Sequence, residues 1–177
     1  MSMSPMSPMS PMSRAALVAL MLAGCGTDDV DLTGVYEVTS NVSSSPCGVD
    51  QPVANGPAFL VFRKEKFLSA EYFVFDQCAD AAGADCSSTG SLFSGLFEPF
   101  DGGWQGVATT SSHSGTRCVL GYSDETAKLA GTALVVEHAQ YVFDGDLAEA
   151  ECTTDEADRR GTAMDCDDHE RIEATKH

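Results

Sequence analysis

The sequence predicts a mainly β protein: an antiparallel β-barrel or sandwich of about eight strands, with one short helix near 154–160. Three observations predict it. Short runs rich in Val, Ile, Tyr, Phe and Thr recur along residues 34–177, turn signals separate them, and no alternation of strands with helices interrupts them. The chain of 177 residues has room for one domain with a core of useful size, and no internal repeat or long linker divides it.

The elements follow in order. Residues 35–42 open the domain with β-favouring Val, Tyr and Thr. The apolar, aromatic-rich runs 58–62 and 67–75 read as a hairpin around the charged turn Arg63-Lys64-Glu65-Lys66. Residues 92–100 and 104–110 flank Asp101-Gly102-Gly103, where glycine supplies the positive φ of a reversal. Residues 117–122 and 129–143 flank "SDETAK" in the same manner, and the second run is long enough to hold a bulge. Residues 170–175 alternate Ile172 and Ala174 with charged neighbours. The helix has Thr153 and Glu156 in capping-box spacing, Asp155 and Asp158 towards its start, and Gly161 after Arg159 and Arg160.

The acids number 27 against 10 basic residues, for a formal net charge of −17. Such a surface repels phosphate backbones, so nucleic acid is excluded as a partner, and cations are its electrostatically natural company.

In residues 14–25, Arg14 leads an apolar run of about ten residues that ends in Ala23, Gly24 and Cys25. A helix needs about 20 apolar residues to span a bilayer, so this run has the proportions of a secretory signal. Leu22-Ala23-Gly24-Cys25 resembles the lipobox of bacterial lipoproteins at all four positions. The resemblance implies cleavage between Gly24 and Cys25, lipidation of the Cys25 thiol, and attachment to the cell envelope through its acyl chains. Gly26 follows the cysteine where enteric sorting signals for inner-membrane retention place Asp, so outer-membrane delivery is expected. The expected organisation is a signal peptide over 1–24 with a Ser-Pro-Met low-complexity extension, a lipidated tether over 25–33, and a single disulfide-stabilised β domain over 34–177.

Assigning Cys25 to the lipid leaves Cys47, Cys78, Cys86, Cys118, Cys152 and Cys166, an even set that suits disulfides in an oxidising compartment. Six cysteines allow 15 pairings. Loop closure favours near neighbours: Cys78 with Cys86 and Cys152 with Cys166, leaving Cys47 with Cys118.

No nucleophile-elbow, zincin, Walker or Rossmann pattern occurs, so no catalytic residue, cofactor or metal site is assigned. His138 shares a strand face with Leu134, Val136 and Val142, where it is either a core histidine or a base whose partner the sequence does not name. The acids Asp144, Asp146, Glu149 and Glu151, and the segment "DCDDHE" over 165–170, read as solvated charge because the ordered spacing of a calcium loop is missing. Trp104 reads as core. Gly34-Val35-Tyr36 resembles the Gly-x-Trp start of lipocalins, with tyrosine in the tryptophan's place. That resemblance implies a barrel with an open apolar interior.

The sequence thus predicts an envelope lipoprotein that acts as a non-catalytic binding or interaction module with a protein or small-ligand partner. A lipocalin-like carrier of a small apolar ligand is the alternative. An enzyme would need a cleft that sets His138 beside a carboxylate or hydroxyl.

Overall fold

The computed structural model describes residues 30–83, 85–88, 95–100 and 102–177, the side chain of residue 67 excepted. The strands are β1 (Gly34–Ser44), β2 (Gln51–Pro52), β3 (Phe59–Phe67), β4 (Ala70–Cys78), β5 (Cys86–Ser88), β6 (Glu98–Phe100), β7 (Gly103–Ser114), β8 (Arg117–Ala130), β9 (Ala133–Asp146) and β10 (Asp165–Lys176), with helix α1 (Thr154–Arg160) before the last. Nine strands form one antiparallel sheet in the order β5-β4-β3-β1-β10-β9-β8-β7-β6, while β2 pairs with β1 off this path. The sheet curls into an open half-barrel. Its flanks meet at one point, where Leu96 exchanges backbone hydrogen bonds of 2.9 and 3.0 Å with Phe73 of β4 while Phe97 N–H donates to Gln105 of β7. Of the two shapes expected, the barrel type forms. The ladder between β1 and β10 makes the halves of the chain one continuous sheet, so no second sheet is left to stack.

Gly106 of β7 makes that junction possible. A Cβ there would lie 2.3 Å from the Gly95 carbonyl oxygen, so any side chain would push residues 95–97 off the strand.

Two expected turns are strand instead. Residues 63–66 belong to β3, and the reversal comes at Leu68, whose φ is 57°. The charges are tolerated because they pair across the hairpin: Lys64 and Lys66 with Glu71 at 3.2 and 2.9 Å, and Arg63 with Asp76. Likewise "SDETAK" lies inside β8, paired on one side with β7 and on the other with β9, and the chain reverses at Gly131 with φ 65°. The turn at Gly102 forms as expected, with φ 74°. So does the helix: the Thr153 hydroxyl accepts from the Glu156 N–H at 3.1 Å. The Glu156 carboxylate turns to Arg159 and Arg160 at 2.7 Å each, and these bonds hold its pKa down at about 2.

The two faces of the sheet carry separate apolar clusters. The concave face holds the main core, built from Leu32, Tyr36, Leu60, Phe62, Phe73, Phe75, Leu96, Trp104, Leu134, Val136 and Ile172. The convex face packs Leu120, Tyr122, Tyr141 and Phe143 under Ala157 of α1 and Met164. Residues 30–33, expected as tether, belong to this fold: Leu32 is fully buried, Tyr36 Oη donates to its carbonyl at 2.9 Å, and Trp104 Nε1 donates to the Val30 carbonyl at 2.7 Å.

All six expected cysteines are bridged, as Cys47–Cys166, Cys78–Cys86 and Cys118–Cys152. Only Cys78–Cys86 follows the near-neighbour pairing; Cys152 with Cys166 and Cys47 with Cys118 are corrected. The observed bridges span 119 and 34 residues, against 14 and 71 for the expected pair. Their combined loop-closure cost is larger by about 1 kcal/mol. Strand register easily outweighs that. A shift in pairing at Cys166/Asp168 turns Cys166 towards the loop after β1, while Cys118 of β8 lies on the convex face under the segment that carries Cys152.

Candidate functional site: a cavity in the bore of the sheet

Above the packed core, the concave face leaves a cavity of about 280 Å³. Phe75, Val136 and Ile172 form apolar wall, Gly106 and Ala108 of β7 admit the space by being small, and Gln77 and Ser123 add polar edges. The volume is close to the lower end of small-molecule sites, roughly 300–1,000 Å³.

Across the cavity runs a row of directly paired residues: Gly106 on β7, Glu125 on β8, His138 on β9 and Glu170 on β10. Side chains directly opposite in an antiparallel pair have Cβ atoms about 4.5–5.5 Å apart, so His138 stands between two carboxylates. The phase of each strand forces this. On β9, Leu134, Val136 and His138 alternate inward; on β10, Glu170 is in step with Ile172 and Ala174; on β8, Glu125 is in step with Ala127.

The inner row differs electrostatically from the outer one. One position along, Thr126, Glu137 and Arg171 pair across the same strands on the convex face, and Arg171 binds both Glu137 and Glu173, the latter at 2.9 Å. The inner row has no such cation, and none of the described lysines or arginines lines the cavity. Among the described residues the side chains of Glu125, His138 and Glu170 have no hydrogen-bond or ion-pair partner. Burial, with the charge of Glu170 added, pushes the Glu125 carboxyl up to about 7.

No family model, curated protein or solved structure matches the chain.

The other residues singled out in the sequence lie elsewhere. His113 is on β7 with a buried Nε2 that has no partner, His169 Nδ1 is 3.2 Å from Asp50, and the His177 ring meets Phe59 edge-on at 5.6 Å. Asp144 pairs with Arg117, which holds its carboxyl below the usual carboxylate range, and Asp146 accepts from Thr116 at 3.0 Å. Residues 165–170 lie on strand β10. No group of three or more metal-ligating side chains is found among the described residues. Trp104 is core, as expected. Cys25 and the bond from Gly24 lie outside the described residues.

Glu125 and Glu170 are the residues that reading the sequence did not single out. Their signal was phase: each is an acid in step with the apolar face of its strand. Reading "SDETAK" as a turn removed the strand on which the phase of Glu125 would have been noticed, and Glu170, although it opened the expected strand 170–175 in step with Ile172, was read with "DCDDHE" as solvated charge.

Proposed function

We propose that this chain is a lipid-anchored envelope protein that binds a small molecule in the bore of its curled sheet. One observation carries the binding part: a cavity with apolar walls crossed by three titratable side chains that the protein leaves without partners. Polar side chains that open into a largely apolar cavity without a protein partner are what orients a ligand in such a site. The anchor rests on Leu22-Ala23-Gly24-Cys25. Two acyl chains hold stably where one does not.

Two measurements test the reading. Protein purified from its own envelope should carry a stoichiometric small molecule in native mass spectrometry, and Ala108→Trp, which fills the cavity, should lose it with the circular dichroism spectrum unchanged. Bound mass retained in Ala108→Trp would move the site elsewhere, and an empty wild type would count against binding. Cys25→Ser should pass from the membrane fraction to the soluble one; retention at the membrane would remove the anchor.

A second reading has one observation in its favour. A carboxyl poised near neutrality beside a second carboxylate and a histidine is an arrangement used for general acid–base catalysis. It predicts that the co-purified molecule is chemically converted by wild type and is recovered unchanged from Glu125→Gln.

A further inference from the structure

We infer that the ligand is an organic cation, an apolar body carrying a protonated amine or amidine, with its charge between Glu125 and Glu170 and its body against Phe75, Val136 and Ile172. This rests on the binding reading above and goes further by naming the chemical class.

The first ground is what the row lacks. The fold spends its described basic side chains on other acids or on aromatic rings: Lys64 and Lys66 on Glu71, Arg63 on Asp76, Arg117 on Asp144, Arg159 and Arg160 on Glu156, Arg171 on Glu137 and Glu173. The remaining lysines, Lys128 and Lys176, stand over the rings of Phe100 and Tyr36. Among the described residues the inner row's two carboxylates and histidine face one cavity with no lysine or arginine beside them, and a bound cation would complete the ion pair.

The second ground is geometric. Glu125 and Glu170 are two strands apart, roughly 9–10 Å between backbones, and both line the one cavity with His138 between them, so a single cationic head group in that cavity lies between the two carboxylates. The apolar wall of Phe75, Val136 and Ile172 beside the row suits a hydrocarbon or aromatic body, and an anionic ligand would set a third negative charge beside two carboxylates.

The third ground is the field of the whole chain. A net charge of −17 raises the local concentration of cations and lowers that of anions around a concave, low-dielectric bore.

Binding a cation here is linked to protons. Glu125 is half protonated near pH 7 in the empty site, and an ammonium beside it favours the ionised form, so the proton leaves to solvent as the cation enters. The groups facing Glu125 are Glu170 on β10 and His138 on β9, while Gln77 on β4 and Gly106 on β7 bring no charge. If the cation binds only the ionised form, apparent affinity rises about tenfold between pH 6 and pH 8 and then levels.

The test uses 2-phenylethylamine with two controls that share its phenylethyl body, isosteric neutral 2-phenylethanol and anionic 3-phenylpropanoate, by titration calorimetry on the purified protein. The amine should bind wild type at least tenfold tighter than the alcohol at pH 8. It should gain about tenfold between pH 6 and 8 and give a heat that varies with the ionisation enthalpy of the buffer; the carboxylate should not bind. Glu125→Gln should bring the preference for amine over alcohol below threefold and remove the pH dependence. His138→Gln, which removes the histidine between the two carboxylates, should keep both. Equal binding of amine and alcohol, or tighter binding of the carboxylate, overturns the cation assignment while the cavity remains a ligand site. Loss of the pH dependence in His138→Gln assigns the proton to the histidine and overturns the role given to Glu125. Failure of all three probes to bind overturns the cavity reading together with the cation.

Discussion

Glu125 carries a stability signature as well as a place in the candidate site. Its carboxyl is pushed from an ordinary value of 4.5 to about 7, so the folded state holds the proton over a range where the unfolded chain has released it. The stabilisation is therefore complete below about pH 4.5 and is lost as pH rises through 7. At about 1.4 kcal/mol per pH unit the displacement amounts to roughly 3 kcal/mol. Glu125→Gln should match wild type in urea unfolding at pH 5 and exceed it by an amount of that order at pH 8. An equal pH dependence in the two proteins would place the carboxyl in water. Substitution of Glu137 should not reproduce the effect, since Glu137 is half exposed and paired with Arg171 on the outer face.

At the scale of elements, the crossing between residues 95–97 and β7 depends on backbone approach. The Cβ of an alanine at position 106 would lie 2.3 Å from the Gly95 oxygen, closer than any stable contact. Gly106→Ala should cost about 1–3 kcal/mol, and thermal unfolding should report it. Amide exchange should quicken at Leu96 and Phe73, which hold each other across the flanks. A neutral result would mean that the junction contributes little to stability. The strand elements were legible where apolar character was strong, as the continuous aromatic run of β4 or the alternating Ile172–Ala174 end of β10. They were least legible where a strand was charged. Arg63–Lys66 and Ser123–Lys128 imitate turns because their partners, Glu71, Asp76 and the facing residues of β7 and β9, lie on other strands.

At the scale of the whole molecule, the bridge Cys47–Cys166 ties the loop after β1 to the start of β10 and encloses most of the domain. Replacing both cysteines by serine should lower stability by about 3–5 kcal/mol, as expected for a bridge across a long loop. The same substitution at Cys78 and Cys86, which span 8 residues, should cost less. Non-reducing peptide mapping should recover 47–166, 78–86 and 118–152 as the linked fragments; a 152–166 fragment would contradict the register of β10.

The sequence by itself determined the mainly β class, the single helix with its Thr153 cap, the even set of six cysteines once Cys25 is set aside, and His138 on an apolar strand face. These are local properties, carried by residue type and by periodicities of 2 and 3.6 along one segment. Tertiary structure alone decided that the sheet curls instead of stacking, which cysteines meet, and that Glu125 and Glu170 flank His138 over one cavity. The reason is that cross-strand register is a long-range choice. Periodicity tells which face of its own strand a side chain takes, but only the pairing of β8, β9 and β10, set by burial along their whole lengths, brings those three side chains into one row.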